Sequence, residues 1–372
     1  MNLPLAPILP TDLRRGILSL SEAEFGAWLR QHGQPLMRIS QVRRWLIQGR
    51  AESFGAMTDL PVDLRAALAR EFEPLETQVA AQTQARDGTR KLLLRLRDGR
   101  HIECVLIPER DRRTACVSTQ VGCGMGCVFC ASGLGGVARN LTSGEILEQL
   151  IRLRNLTPRD ERLTNIVVMG MGEPLANLDN LVAALEVACV PAGLGISARH
   201  VTVSTVGLPT KIRQLAALGK PYHLAVSLHA PNDALRTQIV PTNARIGLAA
   251  ILAAADDFFA CTGRRVTYEY VLLGGVNDAP THARELARLL GRRIAHVNLI
   301  PYNEVAGLPY RQPTAQAVAT FVAELRRAGL NVKVRKRKGA DIDAACGQLR
   351  RRFEAPSAPV PHAVASEAAS VQ

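Results

Sequence analysis

Three closely spaced cysteines limit the fold of this chain more than any other feature of the sequence. Cys123, Cys127 and Cys130 follow the spacing C-x3-C-x2-C in a glycine-rich loop. Thiolates this close repel one another unless a cation holds them, so the loop predicts metal ligation. A 4Fe–4S cluster held by three cysteines leaves one iron open, whereas structural zinc sites use four protein ligands. The spacing favours the cluster, and a zinc knuckle completed by a distant Cys or His is the alternative.

The composition indicates a basic chain that works in a reducing compartment. Its 372 residues include 46 Lys and Arg against 33 Asp and Glu, a net charge of +13. This balance favours a polyanionic partner, with an ordinary basic enzyme as the alternative. Residues 1–10 do not form a secretory signal, and no apolar run is long enough to cross a membrane. Eight cysteines without a signal indicate the cytoplasm, where thiols serve as ligands or catalysts.

The segment before residue 73 has the pattern of a small helical module. Apolar stripes at helical spacing predict three helices, the first starting at Ser21 and the third at Pro61. Its tryptophans are interpreted as core residues. A second interpretation makes the module an RNA-docking surface, with Arg43, Arg44 and Arg50 meeting phosphates.

The following segment predicts a β-hairpin. Residues 78–87 are interpreted as a polar link, and residues 91–97 and 101–107 as strands around Asp98-Gly99. Glu103 is an acid among apolar neighbours in the second strand, and the pattern alone makes it a surface residue. Cys104, Cys189 and Cys261 lie in apolar stretches and are predicted to be buried free thiols.

From residue 115 onward, strands alternate with helices, which predicts a parallel sheet with crossover helices. Small and polar residues follow each strand, the position at which an α/β barrel builds its active site. Six or seven such units predict an α/β fold with a partial (βα)6-type barrel that resembles a TIM barrel. A Rossmann fold is excluded because Leu175 stands where the third fingerprint glycine belongs. The predicted strands are 115–119, 165–169, 201–204, 224–228, 266–272, 297–300 and 332–334, and the predicted helices are 144–154, 178–190, 209–218, 248–259, 282–290 and 314–328.

The end of the chain carries one cysteine between two basic runs. Residues 335–338 and 350–352 flank Cys346, and we interpret them as phosphate contacts around a reactive thiol. Residues 353–372 turn to Ala, Pro, Ser and Val, which predicts a disordered tail.

These motifs together resemble the RlmN/Cfr family of radical S-adenosylmethionine (SAM) RNA adenosine methyltransferases, and RlmN more than Cfr. The resemblance covers residues 17–349. Its carriers are the cysteine loop and the segments FGAMTDLP (54–61), IECVLIP (102–108), VMGMGEPL (168–175), VTVSTVG (201–207), SLHAPND (227–233), NLIPYN (298–303) and DIDAACGQL (341–349).

The resemblance implies a reaction that consumes two SAM molecules. One SAM methylates Cys346, and a second, bound at the open iron, yields a 5′-deoxyadenosyl radical that activates this methyl group for attack on adenine carbon 2. Glu103 is implied as the general base that removes the ring proton. Cys116 is implied to release the product through a transient disulfide with Cys346.

The same resemblance implies the binding partners. The implied metal ligands are Cys123, Cys127 and Cys130. The implied SAM contacts are Gly172, Glu173, Ser204, Ser227, Leu228, His229 and Asn303. The substrates are 23S rRNA at its peptidyl-transferase centre and an adenosine beside the anticodon of tRNA. We further expect a flavodoxin-like electron donor, no membrane association and a monomer.

The chain is accordingly divided into an N-terminal helical docking domain with its linker (1–85), a β-hairpin extension that carries the base (86–114), the barrel with the reactive cysteine (115–352) and the tail (353–372). Two other functions stay open at this point. One is a Cfr-like methyltransferase acting on adenosine carbon 8, and the other is a zinc-stabilised RNA-binding protein without catalytic activity.

Overall fold

The computed structural model describes residues 14–291 and 293–349 of the chain. The predicted tail, and the basic run at 350–352, lie outside the described residues. No described helix is both long and apolar enough to cross a membrane.

The N-terminal module contains the three predicted helices. Helix α1 begins at a capping box, in which Ser21 and Glu24 bond to each other's backbone N–H groups. Trp28 packs into the core, and its Nε1 donates to Glu71 at 2.7 Å. The elements are β1 (Arg15–Gly16), α1 (Glu22–Gln31), α2 (Met37–Ile47), α3 (Val62–Glu71) and β2 (Phe72–Glu73), with β1 and β2 paired in parallel.

Four antiparallel strands come next: β3 (Gln78–Gln84), β4 (Arg90–Arg95), β5 (His101–Glu109) and β6 (Arg112–Cys116). The predicted hairpin is present as β4 and β5. The interpretation of residues 78–87 as a polar link was wrong, because most of them form β3. This strand lies at the edge of the sheet and its residues are largely exposed, so it lacks the alternation of a half-buried strand.

A second, smaller hairpin encloses the cysteine loop. Strands β7 (Gln120–Gly122) and β8 (Val137–Asn140) pair antiparallel on either side of the three cysteines. Neither strand was predicted from the sequence. They fix the two ends of the loop at the point where β6 leaves the main sheet.

The remaining chain forms the predicted succession of helices and parallel strands. Helix α4 also begins at a capping box, made by Thr142 and Glu145. Two short helices, α7 and α8, were not predicted. The elements are α4 (Ser143–Asn155), β9 (Asn165–Val168), α5 (Leu178–Cys189), β10 (Val201–Thr205), α6 (Pro209–Ala217), β11 (His223–Ser227), α7 (Asp233–Ile239), α8 (Asn243–Ile246), α9 (Leu248–Thr262), β12 (Thr267–Leu272), α10 (Pro280–Leu290), β13 (His296–Pro301), α11 (Ala315–Arg327) and β14 (Asn331–Val334).

The main sheet has ten strands in the order β14-β13-β12-β11-β10-β9-β6-β5-β4-β3. The seven strands from β6 to β14 in this order are parallel and follow the order of the chain, which is the arrangement of a barrel and not of a Rossmann sheet. The sheet curves strongly, since Arg335 after β14 reaches the sulfur of Met169 after β9 at 3.7 Å. In the described chain the first and last strands of this parallel set, β6 and β14, do not pair with each other, so the barrel is incomplete, as predicted.

The two faces of the parallel strands differ in polarity. Val201, Val203, Leu224 and Val226 are fully buried, with their side chains on the face covered by the helices. The intervening residues line the concave face, where Ser227 of β11 stands beside Glu269 of β12. Polar side chains are therefore directed into the barrel.

Candidate active site

An open cavity lies at the carboxyl ends of the parallel strands, the end at which barrels bind ligands. All three cysteines of the loop line it, and Cys346 also does so. Of the predicted SAM contacts, those in the cavity wall are Gly172, Glu173, Ser204, Ser227, His229 and Asn303. Glu103, Cys116 and Leu228 do not line it.

The cysteine loop is held by its own backbone and by the enclosing hairpin. The Cys123 N–H donates to the carbonyl of Gly136 at 2.9 Å, and the Cys130 N–H donates to the carbonyl of Cys127 at 3.1 Å. Burial raises the pKa of the Cys123 thiol to about 12 and that of Cys127 well above its usual value, and the neighbouring thiols add to both shifts. Three such thiols become stable thiolates only when a cation neutralises them.

The number and placement of these thiols fit a cluster. All three line one shared cavity. A four-iron cluster held by three cysteines leaves one iron open for a ligand, whereas a structural zinc site uses four protein ligands. The donor set of Cys123, Cys127 and Cys130 therefore fits a 4Fe–4S cluster.

Glu173 forms a buried anionic part of the cavity wall. Its two carboxylate oxygens accept from the N–H groups of Leu175 at 3.0 Å and Val206 at 2.9 Å. Burial raises its pKa, and these hydrogen bonds oppose the shift. A carboxylate accepts more than two hydrogen bonds, so Glu173 retains capacity for an ammonium group of a ligand.

His229 has both a structural and a cavity-facing role. The Val271 N–H donates to its Nδ1 at 3.1 Å, which places the ring proton on Nε2. Burial and the nearby Arg236 lower the pKa of His229 to about 3, so the ring is neutral. Leu228 is fully buried, and its N–H already donates to the carbonyl of Glu269. His229 therefore lines the cavity, whereas the Leu228 side chain is buried in the core and does not line it.

The turn that carries Cys346 is bonded directly to the cysteine loop. The Ala131 N–H donates to the carbonyl of Gly347 at 2.8 Å, and Ser132 Oγ donates to the carbonyl of Leu349 at 2.7 Å. Asn303 Nδ2 donates to the Cys346 carbonyl at 3.3 Å. These bonds place the Cys346 turn beside Cys130.

Cys116 lies close to this turn. It is buried at the end of β6, and burial raises the pKa of its thiol to about 12, with the charge of Cys346 as the next cause. Arg335 lies near both cysteines, and the charge of Cys346 is the main cause that raises the pKa of its guanidinium. The two non-ligand cysteines predicted from the sequence therefore come together, with a cation beside them.

Glu103 is not the surface residue that its strand pattern suggested. It is only 2% exposed, and its Oε1 accepts from Lys91 Nζ at 2.8 Å. Val105 pairs with Lys91 on one side and with Cys116 on the other. Paired residues share a face, and so do residues two apart in a strand, so Glu103 projects on the face that carries Cys116.

Basic side chains extend from the cavity toward the surface. A smaller cavity beside Cys346 is lined by Arg335, Lys336, Arg337 and Lys338. Arg50, in contrast, does not fit the interpretation as a phosphate contact. Its guanidinium donates to the carbonyls of Thr157, Pro158 and Glu161, between 2.6 and 3.2 Å away.

Two of the three cysteines that were predicted to be buried free thiols are more accessible than predicted. Cys104 is buried as predicted, but Cys189 is only partly buried and Cys261 is exposed.

Arg236 is a buried residue that was not identified from the sequence, and it is 1% exposed beneath the cavity. A lone arginine in a short helix has the pattern of a solvated residue, so only the structure reveals its position.

Comparison with known proteins agrees with this geometry. The family model of the radical SAM superfamily matches residues 117–288, and the model of the ribosomal RNA large subunit methyltransferase N-terminal domain matches residues 16–73. A Rhodopirellula baltica protein described as "Probable dual-specificity RNA methyltransferase RlmN" is 57% identical over 335 residues, covering 90% of each chain. A Symbiobacterium thermophilum protein with the same description is 46% identical over 92% of each chain.

A solved structure is also similar to this chain over most of its length. The crystal structure of a radical SAM methyltransferase from Sphaerobacter thermophilus has 43% sequence identity and a TM-score of 0.87, covering 91% of this chain and 99% of that one. Proteins of the radical SAM superfamily use a 4Fe–4S cluster and SAM, which the cysteine loop and cavity are suited to hold. The chain therefore belongs to the radical SAM superfamily and, within it, to the RlmN family of RNA methyltransferases.

Proposed function

We propose that this protein methylates carbon 2 of an adenosine in 23S rRNA and of an adenosine beside the anticodon of tRNA, through a methyl group carried on Cys346. One observation carries the proposal. Cys346 lines the cavity that the cluster ligands line, on a turn bonded to the residues that follow Cys130. A thiol in this position is within reach of chemistry that starts at the cluster.

Each site residue has a separate role in the proposed reaction. Cys123, Cys127 and Cys130 hold the cluster, and Glu173 accepts from the methionine ammonium of SAM. When bound, the cluster and SAM supply the radical chemistry that an electron-poor ring carbon requires. Cys346 carries the methyl group, and the Glu103 carboxylate takes the ring proton. The Cys116 sulfur loses its proton and attacks the sulfur of Cys346, so that a disulfide forms and the sulfur–carbon bond breaks. The released carbon keeps the electron pair of that bond and takes up a proton, which gives the methyl group of the product.

The charge of the chain supports RNA as the substrate class. The net charge is +13, and four consecutive basic residues line the cavity beside Cys346. Such side chains neutralise phosphates next to an adenine that is turned out of its stack. The relatives are described as dual-specificity RNA methyltransferases. A flavodoxin-like donor, a monomeric state and a cytoplasmic location complete the proposal.

Replacing Cys116 with Ala tests the two-cysteine mechanism. Without its thiol the bond between Cys346 and the methylated RNA does not break, so a covalent protein–RNA adduct accumulates in a denaturing gel. The matched control is Cys261→Ala, which changes an exposed cysteine and leaves turnover intact. Free protein and free RNA from the Cys116→Ala reaction would contradict the mechanism.

The two other functions make different predictions. A carbon-8 methyltransferase yields 8-methyladenosine in digested RNA, where the proposal requires 2-methyladenosine, and mass spectrometry against standards separates them. A zinc-stabilised binding protein contains zinc without iron and is colourless after anaerobic purification. The thiol spacing, the shared cavity and the match to the radical SAM superfamily favour the iron cluster over this last function.

A further inference from the structure

Lys91 and Glu103 form an ion pair deep inside the protein, next to the reactive-cysteine turn. Their exposed fractions are 7% and 2%, and Lys91 Nζ lies 2.8 Å from Glu103 Oε1. The same ammonium donates to the carbonyl of Asp343 at 3.1 Å. A buried ammonium is costly unless its hydrogens find acceptors. Here one acceptor belongs to the proposed base, and the other lies three residues before Cys346.

The loop between β3 and β4 holds the same turn at two other points. The Gly339 N–H donates to Asp87 Oδ2 at 3.2 Å, and the Arg86 N–H donates to Asp341 Oδ2 at 3.1 Å. The turn itself is tightly bent, since Gly339 and Asp343 both have positive φ. Because these two contacts do not involve Lys91, the turn stays attached when the lysine is replaced.

We propose that Lys91 is a positioning residue that acts through Glu103: it binds the carboxylate and fixes it relative to the turn that carries Cys346. This inference rests on the proposed role of Glu103 as the base. A base must be held at a defined position relative to the proton that it removes, and the ammonium of Lys91 holds one oxygen of the Glu103 carboxylate at hydrogen-bond distance. Lys91 contacts no reacting atom itself, so it serves proton removal from the adenine ring and not the methylation of Cys346.

The test compares Lys91→Met, Lys91→Arg, Glu103→Gln and the double variant Lys91→Met/Glu103→Gln in the full-length protein with its cluster. Two products are measured: methyl-Cys346 by peptide mass spectrometry, and 2-methyladenosine in an rRNA fragment. Lys91→Met should reduce RNA methylation at least about 10-fold, as expected for a disabled base. It should leave methyl-Cys346 within about 2-fold of the wild type, because the contacts of Asp87 and Asp341 persist. Lys91→Arg keeps the charge and should restore most of the RNA methylation.

The double variant shows whether Lys91 acts through Glu103. Once Glu103 is replaced, the loss of Lys91 should reduce RNA methylation no further. Lys91→Met alone leaves a carboxylate buried without its cation, so its melting temperature should fall, and the double variant should recover it without recovering activity. If Lys91→Met does not fold, Glu103→Gln and the double variant still give the comparison. Lys220→Met, at an exposed lysine paired with Glu186, is the control and should change none of these values.

Three results would overturn the inference. One is a Lys91→Met variant that forms as much 2-methyladenosine as the wild type. Another is a Lys91→Arg variant that does not restore RNA methylation. The last is a loss of RNA methylation on replacing Lys91 that is as large in the Glu103→Gln background as in the wild type. A different result would contradict the proposed function instead: wild-type protein that never carries methyl-Cys346. In that case the melting temperatures of the single and double variants would still show whether Lys91 and Glu103 are energetically coupled.

Discussion

At the scale of single residues, Arg236 organises the floor of the cavity. Its guanidinium donates to the carbonyls of Leu228 and Ser227 at 3.0 Å, to the carbonyl of Val206, and to Asn243 Oδ1 at 2.7 Å. These carbonyls lie at the carboxyl ends of β10 and β11, close in sequence to the predicted SAM contacts Ser204 and His229. A single buried side chain thus fixes two loops relative to each other.

Replacing Arg236 with Met should destabilise the protein and weaken SAM binding. Three buried carbonyls would lose their donor, and each unsatisfied group costs about 1–3 kcal/mol. We expect the free energy of unfolding to fall by at least about 3 kcal/mol in urea denaturation. The control is Arg213→Met, an exposed residue paired with Asp257, which should change it by less than about 1 kcal/mol. Equal stability of the two variants would contradict this role.

The sequence predicted individual residues only where their chemistry or a motif marks them. The cluster cysteines, Cys116 and Cys346 were identified in this way, and the structure brings them together. The burial of Glu103 could not be predicted, because strand alternation tells which face a residue is on but not what covers that face. The residues that cover Glu103 include Lys91, whose ammonium also contacts a turn about 250 residues later in the chain. Arg236 was missed for a similar reason, since its acceptors are backbone carbonyls.

At the scale of elements, the hairpin of β4 and β5 is attached to the cysteine loop through its own turn. Arg139 in β8 contacts Asp98 in the turn at 2.6 Å and Glu145 at the start of α4 at 2.8 Å. Burial would raise the pKa of Asp98, but hydrogen bonds from Arg139 and Arg100 outweigh it and lower the pKa to about 2. The strand that carries Glu103 and the strand that closes the cysteine loop are thereby joined.

Asp98→Asn should lower stability in a pH-dependent way. The folded-state pKa lies below the ordinary value of 3.8, so the carboxylate contributes stability above that value and loses it as the pH falls toward about 2. Near neutral pH we expect the variant to be less stable by about 1 kcal/mol, a modest value because the pair is partly exposed to solvent. The difference should shrink as the pH drops below 3.8. Denaturant titrations at several pH values measure it, and a constant difference would contradict the assignment.

Element types and order were largely predictable, and the exceptions have physical reasons. The alternating strands and helices of the barrel were identified because each carries an apolar face that packs on the next layer. Strand β3 was missed because its exposed edge position removes that pattern. Strands β7 and β8 were missed because they are short and pair only with each other around the cysteine loop.

At the scale of the whole molecule, arginines attach the N-terminal module to the barrel. Arg154 in α4 donates to the carbonyls of Ile47 and Leu46 at 2.5 and 3.1 Å. Arg50, just after α2, donates in the other direction to the loop after α4. Both side chains use backbone carbonyls as acceptors, so the module has a defined position beside the site.

Two arginine variants should separate attachment from RNA contact. Arg50→Met should lower the free energy of unfolding by about 1–3 kcal/mol, because its carbonyl acceptors lose their donor. Arg43→Met, at an exposed arginine paired with Glu22, should leave stability nearly unchanged and weaken RNA binding instead. Neither should alter methylation of Cys346. Denaturation and RNA-binding titrations measure both effects, and equal stability of the two variants would contradict the distinction.

The central claim is that the cluster and the thiol of residue 346 work in one cavity. Peptide mass spectrometry of anaerobically purified protein, reconstituted with iron, sulfide and SAM, tests it most directly. The account predicts one added methyl group on the peptide that contains Cys346, and none on the peptide that contains Cys116. Cluster-loaded protein in which Cys346 stays unmodified after incubation with SAM and a reductant would contradict it.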